Sequence, residues 1–224
     1  MVTIIIPTYN EENNIRPLEE NLKSLKGDFE VIFSDGFSKD KTYDLITFKK
    51  IRKTKYRSNQ MNEGAKYAQG DYLFFLHADS KVGKEAILKI EESDLDVGCF
   101  TIKFFPENLK MKLIARGSNK RVKRKNIAFG DQGIFIKKDL FDSIGGYPVL
   151  PLMEDYALSL NLDKRGIKIG QLDYPIYSSS RRFIKGREFR TIIQMQKLQK
   201  RFLRGESVEN IAQAYKKISQ SKKK

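Results

Sequence analysis

At 224 residues with 40% apolar side chains, the chain is long enough to bury a core, which excludes a disordered polypeptide. Its 43 Lys and Arg against 28 Asp and Glu leave a net charge of +15. Such a surface draws phosphate-bearing partners: nucleic acid, anionic lipid or nucleotides.

No apolar run reaches the roughly 20 residues that span a bilayer. The opening Met1-Val2-Thr3-Ile4 lacks the basic stretch of a signal peptide, and Cys99 stands alone. The expectation is a cytoplasmic protein without an internal disulfide.

Residues 2–7, a β-branched run ended by Pro7, predict a buried first strand. Thr8-Tyr9-Asn10-Glu11 reads as a loop. Residues 13–25 read as a helix with Ile15, Leu18, Leu22 and Leu25 on one face. Residues 29–33 predict a second strand that ends at Ser34-Asp35-Gly36, followed by a loop and a helix to about Lys50. Strand and helix alternating at this spacing predict parallel βαβ units with right-handed crossovers.

A short helix leads into Gly70-Asp71. The apolar run Tyr72-Leu73-Phe74-Phe75-Leu76 then predicts a strand buried on both faces in the middle of a parallel sheet. It stops on His77-Ala78-Asp79-Ser80. A carboxylate at the carboxyl end of such a strand lies where open α/β sheets bind ligands, and it can hold a hard divalent cation. The plainer alternative is that Asp79-Ser80 caps a helix.

Further along, the pattern predicts a helix near 84–91, a strand over 97–105 and a basic amphipathic stretch over 109–125. Phe129-Gly130-Asp131-Gln132-Gly133 forms a polar, glycine-flanked segment before a strand at 134–136. A short helix ends at Gly145-Gly146. The pair Glu154-Asp155 opens a helix to Arg165-Gly166, and a last strand covers 167–172. Two helices follow, near 186–204 and 207–218, the second with a stripe of Val208, Ile211, Ala212, Tyr215 and Ile218. The expected organisation is one α/β domain over 1–182 and a basic, amphipathic helical extension over 183–224.

Several chemistries are disfavoured by what is missing. No Gly-x-Gly-x-x-Gly follows the first strand, and there is no P-loop. One histidine and one cysteine exclude a zinc finger and leave a hydrolytic triad dependent on His77 alone. No helix-turn-helix or RNP-type pattern accompanies the charge, so no specific nucleic acid is expected. What does recur is polar groups at strand ends: Asn10-Glu11, Asp35, Asp79 and Glu154-Asp155. In a parallel sheet these tips share one edge, where they suit a metal, a nucleotide and a base.

On these residues the chain resembles a family 2 glycosyltransferase of the GT-A fold. Pro7-Thr8-Tyr9-Asn10-Glu11 resembles the family's opening motif, and Ser34-Asp35-Gly36-Phe37-Ser38-Lys39-Asp40 its acidic loop. His77-Ala78-Asp79 falls on the Asp-x-Asp motif, with His77 replacing the first Asp. Gly145-Gly146-Tyr147 with Glu154-Asp155 resembles the acceptor-side motifs. Gln60-Met61-Asn62, Gly130-Asp131-Gln132 and Ser180-Arg181-Arg182 complete a likeness to a small bacterial subgroup over about 2–185.

The resemblance implies a mostly parallel central sheet flanked by helices. It also implies inverting, single-displacement transfer of a sugar from a nucleotide-diphosphate donor, commonly uridine-linked, to an acceptor hydroxyl. Asp155 would be the base, with Glu154 orienting the acceptor or bracing the loop; the helix dipole is expected to hold the pair ionised. Donor contacts would come from Pro7, Thr8, Glu11, Asp35, Gln60, Asn62, His77, Ala78, Asp79, Asp131, Gln132, Arg181 and Arg182. Mg²⁺ or Mn²⁺ would sit on Asp79 together with the diphosphate, with His77 a candidate second ligand.

The Gln-x-x-Arg-Trp motif of processive synthases is missing, so single addition is expected. Arg181 and Arg182 are expected near the diphosphate. The basic residues of 110–125, with Lys185, Arg187 and Arg190, would favour an anionic inner membrane surface bearing a lipid-linked acceptor. The C-terminal apolar stripes offer a homodimer face instead.

Two rival readings stand. A sugar nucleotidyltransferase would carry a glycine-rich, Arg-containing loop where this chain has Thr8-Tyr9-Asn10-Glu11. A non-enzymatic basic nucleic-acid-binding module would bind arbitrary DNA with steep salt dependence.

Overall fold

The computed structural model describes residues 1–54, 56–183 and 188–220, without the side chains of Arg182 and of residues 218–220. The strands are β1 (Val2–Thr8), β2 (Phe29–Asp35), β3 (Lys49–Arg52), β4 (Tyr72–Phe75), β5 (Ser80–Val82), β6 (Val97–Phe105), β7 (Phe135–Lys137) and β8 (Gly170–Ser179). They form one sheet in the order β3-β2-β1-β4-β7-β6-β8-β5. Four pairings are parallel and three antiparallel.

The β-branched start of the chain takes the centre because its side chains alternate between two buried faces. Ile4 and Ile6 join Ile15, Leu18 and Phe74 on one side. Ile5 joins Met61, Leu73, Phe75 and Leu158 on the other. The first side is covered by α1 (Glu12–Lys23), α4 (Ala86–Glu92) and the start of α5 (Leu109–Lys125). The second is covered by α3 (Arg57–Lys66), α6 (Lys138–Ser143) and α7 (Glu154–Lys164). A trio of rings, Phe75, Phe141 and Tyr147, locks the second side with centroids 4.9–5.7 Å apart. Such edge contacts add roughly 0.5–1.5 kcal/mol each beyond burial.

The structure departs from the sequence expectations at four places. The helix expected to run to Lys50 stops after one turn, α2 (Thr42–Leu45), and the chain forms edge strand β3 instead. Parallel pairing with β2 satisfies that edge, and Arg52 stacks 3.8 Å from the Tyr43 ring centroid. Strand β4 is parallel to β1 but antiparallel to β7, so the sheet is mixed at its centre. Asp79-Ser80 caps no helix, because β5 begins there and pairs with β8. The last strand starts three residues late and runs to Ser179, since a register shift opposite Phe100 and Thr101 lets it follow the whole of β6.

The C-terminal helices α8 (Glu188–Leu203) and α9 (Val208–Gln220) lie on α7. Ile211 and Leu198 are buried with Met153, Tyr156 and Ile127. The centre of the α9 stripe, Ile211, is thus buried within the chain, with Tyr215 half-buried beside it. Ile218 lies outside the described side chains. Among the described residues, no helix is long and apolar enough to cross a membrane.

Candidate active site

The β1 and β2 tips meet at the register pair Thr8 and Asp35. Asp35 is fully buried and accepts hydrogen bonds from the Ser38 amide (2.9 Å), the Ser38 hydroxyl (2.5 Å) and the Thr8 hydroxyl (3.3 Å). Gln60 Nε2 donates to the carbonyls of Thr8 and Ser34, both at 2.7 Å. Both residues shape the loop after β2 from inside, and Pro7 is buried in β1 beneath them. The exposed groups on these tips are Tyr9 and Phe37, aromatic faces that were not among the expected site residues. Phe37 is held outward by a positive φ of 60°.

A second group sits at the β1, β4 and β8 ends. The Arg181 guanidinium donates twice to Glu11, at 3.0 and 2.6 Å, and its Nε lies 2.9 Å from Asp79 Oδ2. Hydrogen bonding to Glu11, helped by the Asp79 charge, raises the Arg181 pKa. One cation therefore ties together two expected donor contacts, with Ala78 buried beside them. The Arg182 side chain lies outside the described residues, as do Lys185 and Arg187.

The third group is the corner at the start of α7. Met153, at φ 68°, is a non-glycine residue in the left-handed region, a costly conformation that packing must hold. Its burial with Tyr156 and Leu198 supplies that support, and the kink sends Glu154 and Asp155 into the site. Asp155 Oδ2 accepts from the Gly130 amide at 2.9 Å, and Oδ1 from the Tyr156 amide at 2.7 Å. Glu154 lies 3.3 Å from Arg57 Nη1, which is 3.4 Å from His77 Nε2. Gly130 has no room for a side chain: a Cβ there would fall 2.6 Å from His77 Nε2 and 3.7 Å from Asp155 Oδ2.

The protonation of this corner corrects the sequence expectation. Burial, reinforced by the Glu154 charge, pushes the Asp155 carboxyl up to about 6, against the pull of the Gly130 amide and Arg57. Desolvation outweighs the helix terminus.

Supporting residues surround the corner. Asn62 exchanges hydrogen bonds with the Tyr147 backbone at 2.8 and 2.9 Å. It braces the glycine-pair loop. Gln132 is buried and accepts from Arg121 at 2.8 Å, and Asp131 is buried in the same turn. Asp155, Glu154, Arg57, His77 and Asp131 all border a cavity of about 800 Å³ that runs between α5 and α8. Arg57 and this cavity escaped the sequence reading; an arginine opening α3 carries no motif of its own.

Among the described residues, no three His, Cys, Asp or Glu side chains group as a metal site. His77 Nε2 faces a guanidinium, and Asp79 is shared with Arg181. One carboxylate fits a cation whose remaining oxygens come from a diphosphate and water; it does not fit one held by protein alone.

The architecture is that of an α/β protein whose ligand edge lies at the strand tips. The family described as Glycosyl transferase family 2 matches residues 3–144, and the chain belongs to that family. An uncharacterized glycosyltransferase of Haemophilus influenzae is 28% identical over 186 residues, 72% of this chain and 62% of its own length. A dolichol-phosphate mannosyltransferase of Pyrococcus furiosus is 29% identical over 187 residues, 75% of this chain and 50% of its own length. The chain thus spans about half to three fifths of these relatives.

Among solved structures, S. aureus TarS 1-349 in complex with UDP-GlcNAc matches at TM-score 0.62 and 19% identity, over 80% of this chain and 58% of that one. The mannosyltransferase PcManGT from Pyrobaculum calidifontis, in complex with GDP-Man and Mn2+, matches at 0.62 and 19%, over 79% and 56%. At these identities the likeness concerns the fold.

Proposed function

We propose that the chain is the catalytic unit of a glycosyltransferase that moves one sugar from a nucleotide-diphosphate donor to an acceptor hydroxyl with inversion. The observation that carries this reading is Asp155, a carboxylate raised to about 6 at the edge of a large cavity. A base with a pKa near the working pH both stays deprotonated and accepts a proton effectively. Arg57 lies against its neighbour Glu154, limiting the negative charge of the corner, and Gly130 fixes the Asp155 rotamer.

The donor diphosphate would lie at the Glu11, Asp79 and Arg181 group, where Arg181 supplies charge-assisted hydrogen bonds. Mg²⁺ or Mn²⁺ bound by Asp79 with the diphosphate would neutralise the leaving group. The loop shaped by Asp35 and Gln60 would receive the nucleoside. Uridine donors are the first to test, given UDP-GlcNAc on TarS, and guanosine donors the second. The net charge of +15 fits a peripheral position on an anionic membrane surface.

A thermal-shift series with nucleotide sugars, with and without Mn²⁺, tests the reading. A donor at 100 times its dissociation constant adds about 2.7 kcal/mol. No shift with any nucleotide sugar, in either condition, would refute it. The nucleotidyltransferase rival predicts instead a shift with nucleoside triphosphates and release of pyrophosphate.

A further inference from the structure

The large cavity has walls and a rim of different chemistry. Part of its wall is apolar, formed by Ile114 of α5 with Ile192 and Met195 of α8. At the surface, Leu113 on α5 and Phe189 on α8, both lining the cavity, remain 47% and 48% exposed. Ile193 continues the exposed face of α8. An apolar path therefore leads from bulk solvent down to Asp155.

The rim adds charge. Lys120, Arg124, Lys125 and Lys200 border the cavity and have no ion pair or side-chain hydrogen bond among the described residues. Of the nearby basic residues, Lys110 is paired with Glu188 and Lys112 with Glu107.

We propose that the groove between α5 and α8 is the acceptor subsite and takes a lipid phosphate, a phosphate-linked headgroup on a long apolar chain drawn from a membrane leaflet. The chain lies along Leu113, Ile192 and Phe189, the phosphate meets Lys120 and Arg124, and the headgroup hydroxyl reaches Asp155. This rests on the reading of Asp155 as the transfer base, but the groove can be tested without turnover.

Calorimetry on the full chain with dodecyl phosphate, dodecyl maltoside and inorganic phosphate, all below micelle concentrations, separates the contributions. The expected result is dodecyl phosphate binding at least about tenfold tighter than either probe that lacks one part, a difference of about 1.4 kcal/mol. Replacing Lys120 and Arg124 together by Gln lowers that affinity about tenfold while leaving donor-induced thermal shifts unchanged.

Equal binding of the three probes, or affinity unaffected by the Lys120 and Arg124 changes, overturns the proposal. So does a stable dimer in sedimentation that dodecyl phosphate fails to compete with, or tighter binding of single-stranded RNA than of dodecyl phosphate. Loss of sugar transfer with intact dodecyl phosphate binding would count against the enzyme reading alone.

Discussion

Replacing Asp155 by Asn separates catalysis from stability at one atom. In the folded chain the Asp155 carboxyl is raised from its ordinary 3.8 to about 6. A raised carboxylate binds its proton more tightly folded than unfolded, so stability is fully present below pH 3.8 and falls as pH rises to 6. That climb corresponds to about 3 kcal/mol at 1.36 kcal/mol per decade, and it is charged against the folded state at pH 8.

Asn keeps an acceptor for the Gly130 amide and carries no charge. The variant should therefore be more stable than wild type at pH 8, by about 1–3 kcal/mol once its amide hydrogens find imperfect partners. The two should converge at pH 4. Transfer should fall at least about a hundredfold, since losing a general base typically costs 10²–10⁴, and wild-type kcat/KM should rise with pH through about 6. Urea unfolding of both proteins at pH 4, 6 and 8, beside initial rates, measures all three quantities. If wild type and variant show parallel stability from pH 4 to 8, the raised carboxyl is wrong. If the variant keeps near-full turnover, the base is another group, and Glu154→Gln becomes the next measurement.

Three further outcomes are expected. Asp79→Asn should abolish the Mn²⁺-dependent part of donor binding in calorimetry, and undiminished wild-type binding in EDTA would refute a shared cation. Asp35→Ala should weaken nucleotide binding and also destabilise the fold by roughly 2–4 kcal/mol, because three donors lose their acceptor; an unchanged melting midpoint would show that these contacts are dispensable. Gly130→Ala should cut turnover at least about tenfold while donor affinity holds, since a Cβ must displace His77. Unaltered rates would mean that the corner tolerates movement.

The central strands were legible because apolar runs stopped at polar tips, as at Thr8, Asp35 and His77-Ala78-Asp79. Edge strands β3 and β5 were not. Lys49-Lys50-Ile51-Arg52 carries too little apolar content to announce a strand, and Ser80-Lys81-Val82 is only three residues long. Both exist because a neighbour offers free backbone groups. In the site, the Glu154-Asp155 pair was visible as a motif, while the state of its proton was not. That depends on burial and on Gly130, Arg57 and Glu154 arriving from separate parts of the chain. Asn62 illustrates the same limit: its motif marked it as a ligand contact, yet the fold places it against the Tyr147 backbone.

His77 is the single histidine of the chain, and it stands between Arg57 and Gly130 at the corner that holds Asp155. A protein labelled with ¹³C only at histidine ring carbons would give one imidazole signal from the place of interest and no background. Its shift against pH reports charge accumulating around Arg57, Glu154 and Asp155. Its change on adding a donor or a lipid phosphate tells which ligand reaches the corner, before any sugar or acceptor has been identified.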